Sequence, residues 1–375
     1  MTGPFHIPPR SFLRQLWRRG RADVCAIAIV LVAAELLLRT FAPQSVGNLY
    51  DRETTAGHPI AINRDGYRGP ALPEAKTPGV ARVLALGDST TFGTGVAWSE
   101  TWPHRLGARL AVAGRPRPEV MNVGFPGTSL GSLRREFAQR WIAFSPDAVV
   151  VALSANMPAL AWIQRDGEPP PVDRTAYAPK PQSALASLRH AGKVVSAALA
   201  LPSFLRRASQ RALYAAGLAR HEVDPAAPFG PLLASGPVQA DLPPERAREA
   251  WALLEAELVS LDADFRRLGI PWTLTYTPTR FMLSPDPADN EKSVPRERLT
   301  LDPEAVIARI AAEHALPYVP LRSALLEARR RERAAGRAGE LYVPFDFTHL
   351  DAVGHEAAAA ALAPAVRAIL DRSAR

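Results

Sequence analysis

The chain has 375 residues, 47% of them hydrophobic, which is too apolar for a disordered polymer and enough to bury a large core. Its net charge of +8 rests almost wholly on arginine, since Lys76, Lys180, Lys193 and Lys292 are its lysines. With no zinc-ligand set, aromatic RNA platform or continuous basic recognition helix beside it, that charge does not point to nucleic acid. A single cysteine, Cys25, excludes an internal disulfide and any cysteine-built metal or redox pair.

Arg10, Arg14, Arg18, Arg19 and Arg21 precede a run from Val24 to Ala42 that is apolar apart from Glu35, Arg39 and Thr40. This layout predicts a basic cytoplasmic segment over 1–22 and a signal anchor over 23–42, with the rest of the chain exported. A span needs roughly 20 residues, and the run reaches that length by including Glu35 and Arg39, whose i, i+4 spacing lets them pair near the outer interface. A cleaved signal peptide, an interfacial helix and a buried soluble helix are the alternatives. The absence of a clean small-x-small site after the run favours the uncleaved anchor.

Residues 43–80 read as a tether and lead-in, with INRDGYRGP at 62–70 as an ordered hairpin or strand entry. Strands are predicted around Val83–Leu86, Val120–Val123, Ala148–Leu153 and Trp272–Tyr276. Helical patterns cover Thr101–Val112, Ser132–Phe144, Arg246–Leu268 and Ala352–Leu370. Strands alternating with helices imply right-handed crossovers and a parallel sheet covered on both faces. The order breaks over about 157–242, first in a proline-rich piece and then in a helical hairpin, 183–220. That hairpin carries Arg189, Lys193, Arg206, Arg207, Arg211 and Arg220 and no acid. It reads as an insertion: a helical cap, a substrate lid, or a patch resting on anionic lipid or polysaccharide.

In ARVLALGDSTTF the apolar run Val83–Leu86 stops at Gly87 and delivers Asp88 and Ser89 to the end of a strand, where reactive groups of such sheets gather. Far downstream, DFTHLDAVGH places Asp346 three residues before His349, a spacing that sets a carboxylate beside the later ring. A serine, a histidine and an acid are the inventory of nucleophilic acyl transfer.

Together with MNVGFPGTS and VVVALSANM, these blocks resemble the GDSL or SGNH hydrolase family of esterases, lipases, thioesterases and carbohydrate deacetylases. The resemblance implies a three-layer α/β/α, flavodoxin-like fold with a parallel sheet, here an 81–375 domain. It implies Ser89 as nucleophile, His349 as base, and Asp346 as the acid that orients the imidazole. Its oxyanion donors would be the Ser89 N–H, the Gly127 N–H and the Asn156 side chain, with no metal and no organic cofactor. Two departures stand out. Ser154, Ala155, Asn156 and Met157 replace the common Gly-x-Asn-Asp, so the local turn lacks its usual acid, and Thr90 stands where the family name has leucine.

Among nearby candidates, Asp88 is read as a turn stabiliser, His355 as packing in the last helix and Asp351 as that helix's N-cap. His104, His190, His221 and His314 lack an acid at useful spacing. Gly66 and Arg68 read as structural, with Arg68 reaching the site rim as the alternative. The expectation is a single-pass inner-membrane protein with its catalytic domain in the periplasm, hydrolysing an ester-bearing glycan, lipid or small molecule. Acyl transfer to glycan hydroxyls by the same triad, or a non-catalytic envelope-assembly module on the same fold, are the rival readings.

Overall fold

A computed structural model describes residues 26–37, 54–55, 58–59, 62–163, 165, 172, 244–283, 302–339, 341–343 and 348–373. Asp346 and the hairpin expected over 183–220 lie outside them. In chain order the elements are α1 (Ala26–Leu37), β1 (Thr54–Thr55), β2 (His58–Pro59), β3 (Arg82–Gly87), α2 (Ser89–Phe92), α3 (Trp102–Leu110), β4 (Glu119–Asn122), α4 (Leu130–Gln139) and β5 (Ala148–Leu153). Then follow α5 (Met157–Ile163), α6 (Pro244–Leu268), β6 (Trp272–Tyr276), α7 (Arg280–Leu283), α8 (Pro303–Glu313), β7 (Tyr318–Pro320), α9 (Arg322–Ala334) and α10 (Ala352–Ser373).

The four strands read from apolar runs are present, and β7 joins them in a parallel sheet of order β4-β3-β5-β6-β7. Side-chain alternation divides its two faces. Leu84 and Leu86 of β3 and Val149 and Val151 of β5 enter one core with Phe137, Trp141, Leu254 and Phe265. Val83, Ala85, Val150 and Ala152 enter the other with Trp102, Leu106, Leu325 and Leu362. The result is three layers, α/β/α. After β4 the chain crosses to the far side of β3 to form β5, so the order reverses at β3 and β5. The crevice outside the carboxyl ends of those two strands is where such sheets bind ligands.

Within the segment where the order was expected to break, α5 continues the strand–helix pattern after β5. Ala159 of α5 packs on Ala247 and Ala250 of α6. The lead-in is ordered from Ile62 onward, where Ile62 and Tyr67 are buried and Ile62 bridges Arg68 in antiparallel fashion.

Two helices are apolar enough to bear on membrane attachment. Among the described residues α10 has the length and composition to cross a membrane, but half of its apolar window is buried. His355, Ala358, Ala359, Leu362, Val366 and Ile369 of α10 are all buried, and its apolar face closes the second core. By contrast α1 exposes Ile27, Ile29, Val30, Leu31, Val32, Leu36 and Leu37. As described it is shorter than the roughly 20 residues a span needs, and its flanks lie outside the described residues.

Candidate active site

Strand β3 ends at Gly87, and the chain turns at once into the single helical turn α2, whose first residue is Ser89. Asp88 makes this turn possible. One carboxylate oxygen accepts the Thr90 N–H at 2.9 Å and the Thr90 hydroxyl at 3.0 Å, so the acid caps the helix as expected. Gly93 closes α2 in a left-handed conformation, its N–H donating to the Ser89 carbonyl at 3.0 Å. The turn is packed tightly from the next loop as well. A Cβ on Gly124 would stand 2.7 Å from the Phe92 nitrogen, so only glycine lets the loop after β4 approach α2.

His349 lies 260 residues from Ser89 in the chain, and its Nε2 stands 2.8 Å from Ser89 Oγ. Both side chains are buried, Ser89 with 8% exposure and His349 with 4%. For Nε2 to accept the hydroxyl proton, the neutral ring must carry its own proton on Nδ1. The His349 carbonyl accepts from the Val343 N–H at 2.9 Å, which anchors the loop that delivers the ring.

Asn156 follows β5, the neighbour of β3 on one side, and Gly127 follows β4, the neighbour on the other. Gly127 has φ +71 and open space around the place of a Cβ. Asn156 is half-buried, and its N–H donates to Ser154 Oγ at 3.3 Å. The Ser154 hydroxyl donates in turn to the second oxygen of Asp88. This pair of bonds ties the turn carrying Asn156 to the turn carrying Ser89, a link the Gly-x-Asn-Asp comparison did not anticipate. Met157 is fully buried in the first core at the start of α5.

Asn122 is a second contributor that sequence reasoning missed, although it lies inside the MNVGFPGTS block. Its side chain donates to the Thr91 carbonyl at 2.9 Å and the Phe92 carbonyl at 3.3 Å, and accepts the Gly124 N–H at 3.2 Å. It caps the far end of α2, where a short helix leaves carbonyls without partners.

The remaining candidates sort clearly. Asp351 caps α10, accepting the Gly354 N–H at 2.8 Å. His355 is packed in that helix as expected, with Nδ1 accepting the Trp102 N–H at 3.1 Å. Burial and the neighbouring cations Arg68 and Arg105, with His349, pull it down to about 3, so it stays neutral. His314 does have an acid beside it, Glu255 at 2.8 Å, brought from 59 positions away. Arg309 bonds both Glu255 and Glu313 there, which makes the group a surface ion-pair network. Arg68 does not reach a rim; it is buried beneath α2.

A parallel sheet covered on both faces, presenting a serine in hydrogen bond with a distant histidine at its switch point, has the framework of a serine-type ester hydrolase. Residues 85–357 match the GDSL-like lipase/acylhydrolase family. The chain belongs to that family, and with it to the carboxylic ester hydrolases. No curated protein sequence matches. Solved structures similar to it include the lipase/acylhydrolase from Enterococcus faecalis, at 14% identity over 77% of this chain and 96% of that one, TM-score 0.39. A catalytic mutant of Axe2, an acetylxylan esterase from Geobacillus stearothermophilus, is 16% identical over 79% and 96%, TM-score 0.39. The acetyl xylan esterase AlAXEase is 13% identical over 76% and 99%, TM-score 0.41. Nothing about the substrate of this chain follows from them.

Proposed function

We propose that this chain is a membrane-anchored, extracytoplasmic esterase that removes O-acetyl or other acyl groups from polysaccharide, lipid or small-molecule esters through an acyl-Ser89 intermediate. The observation that carries the reading is the 2.8 Å approach of His349 Nε2 to Ser89 Oγ at the switch point of the sheet. In the first step Ser89 Oγ bonds to the ester carbonyl carbon as its proton passes to His349 Nε2. The carbonyl oxygen becomes an oxyanion held by the Ser89 and Gly127 N–H groups and the Asn156 amide. Collapse breaks the bond to the alcohol, which leaves with the proton from His349. Water then repeats the sequence against the acyl-serine, and the acid is released. Asp346, three residues before His349, is assigned to hold the Nδ1 proton and stabilise the charged ring.

The membrane assignment is supported by the five arginines before residue 22 and by the apolar side chains that α1 leaves exposed. Acylated envelope glycan and lipid are the substrate classes such a location brings within reach.

The test is turnover of a graded series of acyl esters and acetylated glycans by wild type, Ser89→Ala and His349→Ala, with fluorophosphonate labelling alongside. Each single variant is expected to lose several orders of magnitude in turnover, with little further loss in the double variant because the two act as a unit. Undiminished hydrolysis by the Ser89→Ala protein refutes the assignment.

A further inference from the structure

Arg68 precedes the family-matched region, yet it is 1% exposed and lies directly against the nucleophile turn. The INRDGYRG segment is built to put it there. Asn63 Oδ1 accepts the N–H groups of Asp65 and Tyr67 at 3.0 and 3.2 Å, and its Nδ2 donates to the Gly69 carbonyl at 3.0 Å. Tyr67 packs edge-on against the rings of Trp141 and Phe144. The Arg68 N–H donates to the Asn122 carbonyl at 3.2 Å, joining the segment to the end of β4.

From that anchor the guanidinium reaches under α2. Nη1 donates to the carbonyls of Phe92 and Gly93 at 2.8 and 2.7 Å, and Nη2 to the Val96 carbonyl at 2.7 Å. Its central carbon lies 4.9 Å from the centre of the Phe92 ring. Gly93 must be glycine for this approach, since a Cβ there would meet Thr101 Cγ2 at 2.3 Å and Arg68 Nη1 at 3.2 Å.

A single helical turn cannot hold itself in water, because nucleation fixes several dihedrals for very few bonds. Its shape must be imposed from outside. Gly93, whose carbonyl the guanidinium grips, donates its N–H to the carbonyl of Ser89, and Thr94 donates to the same oxygen at 3.1 Å. One hydrogen bond therefore separates the clamp from the backbone of the nucleophile. Burial pulls the guanidinium down to about 10 against the opposing charge of Glu100, and no carboxylate among the described residues lies within ion-pair distance of Arg68. A buried cation with no carboxylate in contact is costly to keep for stability alone, and Asn122 already caps one of the same carbonyls, that of Phe92, from a neutral side chain.

We infer that Arg68 is a positioning residue for catalysis: it fixes α2 from beneath, so that Ser89 Oγ is held on line with His349 Nε2 and the Ser89 N–H faces the developing oxyanion. The inference rests on Ser89 being the nucleophile. It extends the catalytic unit upstream of the matched region, to the 62–70 segment.

The experiment uses full-length Arg68→Met and Arg68→Lys proteins. Competent sites are counted by fluorophosphonate titration, turnover of a small acetyl ester is expressed per titrated site, and folding is followed by thermal transition. A displacement of the nucleophile by a fraction of an ångström to one ångström costs about 10- to 100-fold. Arg68→Met is expected to lose that much in kcat per titrated site with KM nearly unchanged, and Arg68→Lys to recover part of it by keeping one charged donor. A folded variant that takes no label also supports the inference. Wild-type turnover per titrated site, with activity lost only through fewer sites, overturns it in favour of a purely structural arginine. Failure of both variants to fold overturns it in the same way. Ser89→Ala is run in parallel, because activity in that protein refutes the nucleophile itself whatever the Arg68 variants do.

Discussion

Replacing Ser154 with alanine tests whether this serine secures the turn that lacks the family's usual acid. Ser154 is fully buried, and its hydroxyl is shared between the second oxygen of Asp88 and the N–H of Asn156. The Thr90 N–H and hydroxyl both bond the other Asp88 oxygen, so among the described residues no second donor holds the oxygen that Ser154 would leave. A hydrogen bond to a charged group contributes about 1.5–3 kcal/mol, and a neutral one at 3.3 Å falls near the low end of about 0.5–1.5. Removing one hydroxyl leaves little cavity, so the expected loss of stability is about 2–3 kcal/mol. For a folded unit of this size that corresponds to a Tm lower by about 4–10 °C. Asn156 loses its tie to the Ser89 turn at the same time, which should lower kcat by about 10-fold or more while KM changes little. Calorimetry and ester turnover on the same preparation read both effects. A Tm within a degree of wild type together with unchanged turnover would refute the reasoning.

Glu257 gives a pH-dependent test. Burial raises its carboxyl to about 7, so between about pH 4.5 and 7 the folded chain holds a proton that the unfolded chain has released, and stability falls as pH rises through that window. Glu257→Gln keeps an acceptor for the Gly131 N–H and removes the titration; its Tm is expected to exceed wild type at pH 8 and converge toward it at pH 4.5, and equal Tm values at pH 8 would contradict this. For topology, a reporter fused after Arg375 should be active outside the cytoplasm. Cytoplasmic activity of that fusion would reverse the orientation read from the arginine-rich N-terminus and remove envelope substrates with it.

The parts of the fold legible in the sequence are those whose burial is continuous. Arg82–Gly87, Ala148–Leu153 and Trp272–Tyr276 are buried at every position; the apolar runs Val83–Leu86 and Ala148–Leu153 announce the first two, and Trp272, Leu274 and Tyr276, alternating with threonine, announce the third. β7 was missed because Tyr318–Pro320 is short and only partly buried, so it presents no run. α9 was missed for the opposite reason. Its sequence RSALLEARRRERA is dominated by arginine, and the face that enters the core is carried by Leu325, Ala328 and Arg329. The approach of His349 to Ser89 was legible because each partner lies in a local block, and the fold needed only to bring the blocks together. Ser154, Asn122 and Arg68 were not, because their role is to bond backbone carbonyls or a buried acid supplied by distant segments. Spacing rules register pairs within a turn or two, and for the same reason they gave no sign of Glu255 beside His314.

The departure from Gly-x-Asn-Asp then has a physical account. An acid directly after Asn156 would occupy the place of Met157, which is wholly buried among apolar side chains of the first core. A carboxylate at that point would need partners that an apolar neighbourhood does not supply. The chain instead places a hydroxyl two residues before Asn156, at Ser154, where it reaches an acid, Asp88, that the Ser89 turn already carries. Asp88 thus orders both sides of the crevice, gripping α2 with one oxygen and the Asn156 turn, through Ser154, with the other. Because Asn122 and Arg68 hold the opposite end of α2, the segments meeting at this one helical turn come from before β3, the end of β4 and after β5. That convergence is why stability and turnover are expected to fall together in the Ser154 variant, whereas a change at Asn156's side chain alone would act on turnover.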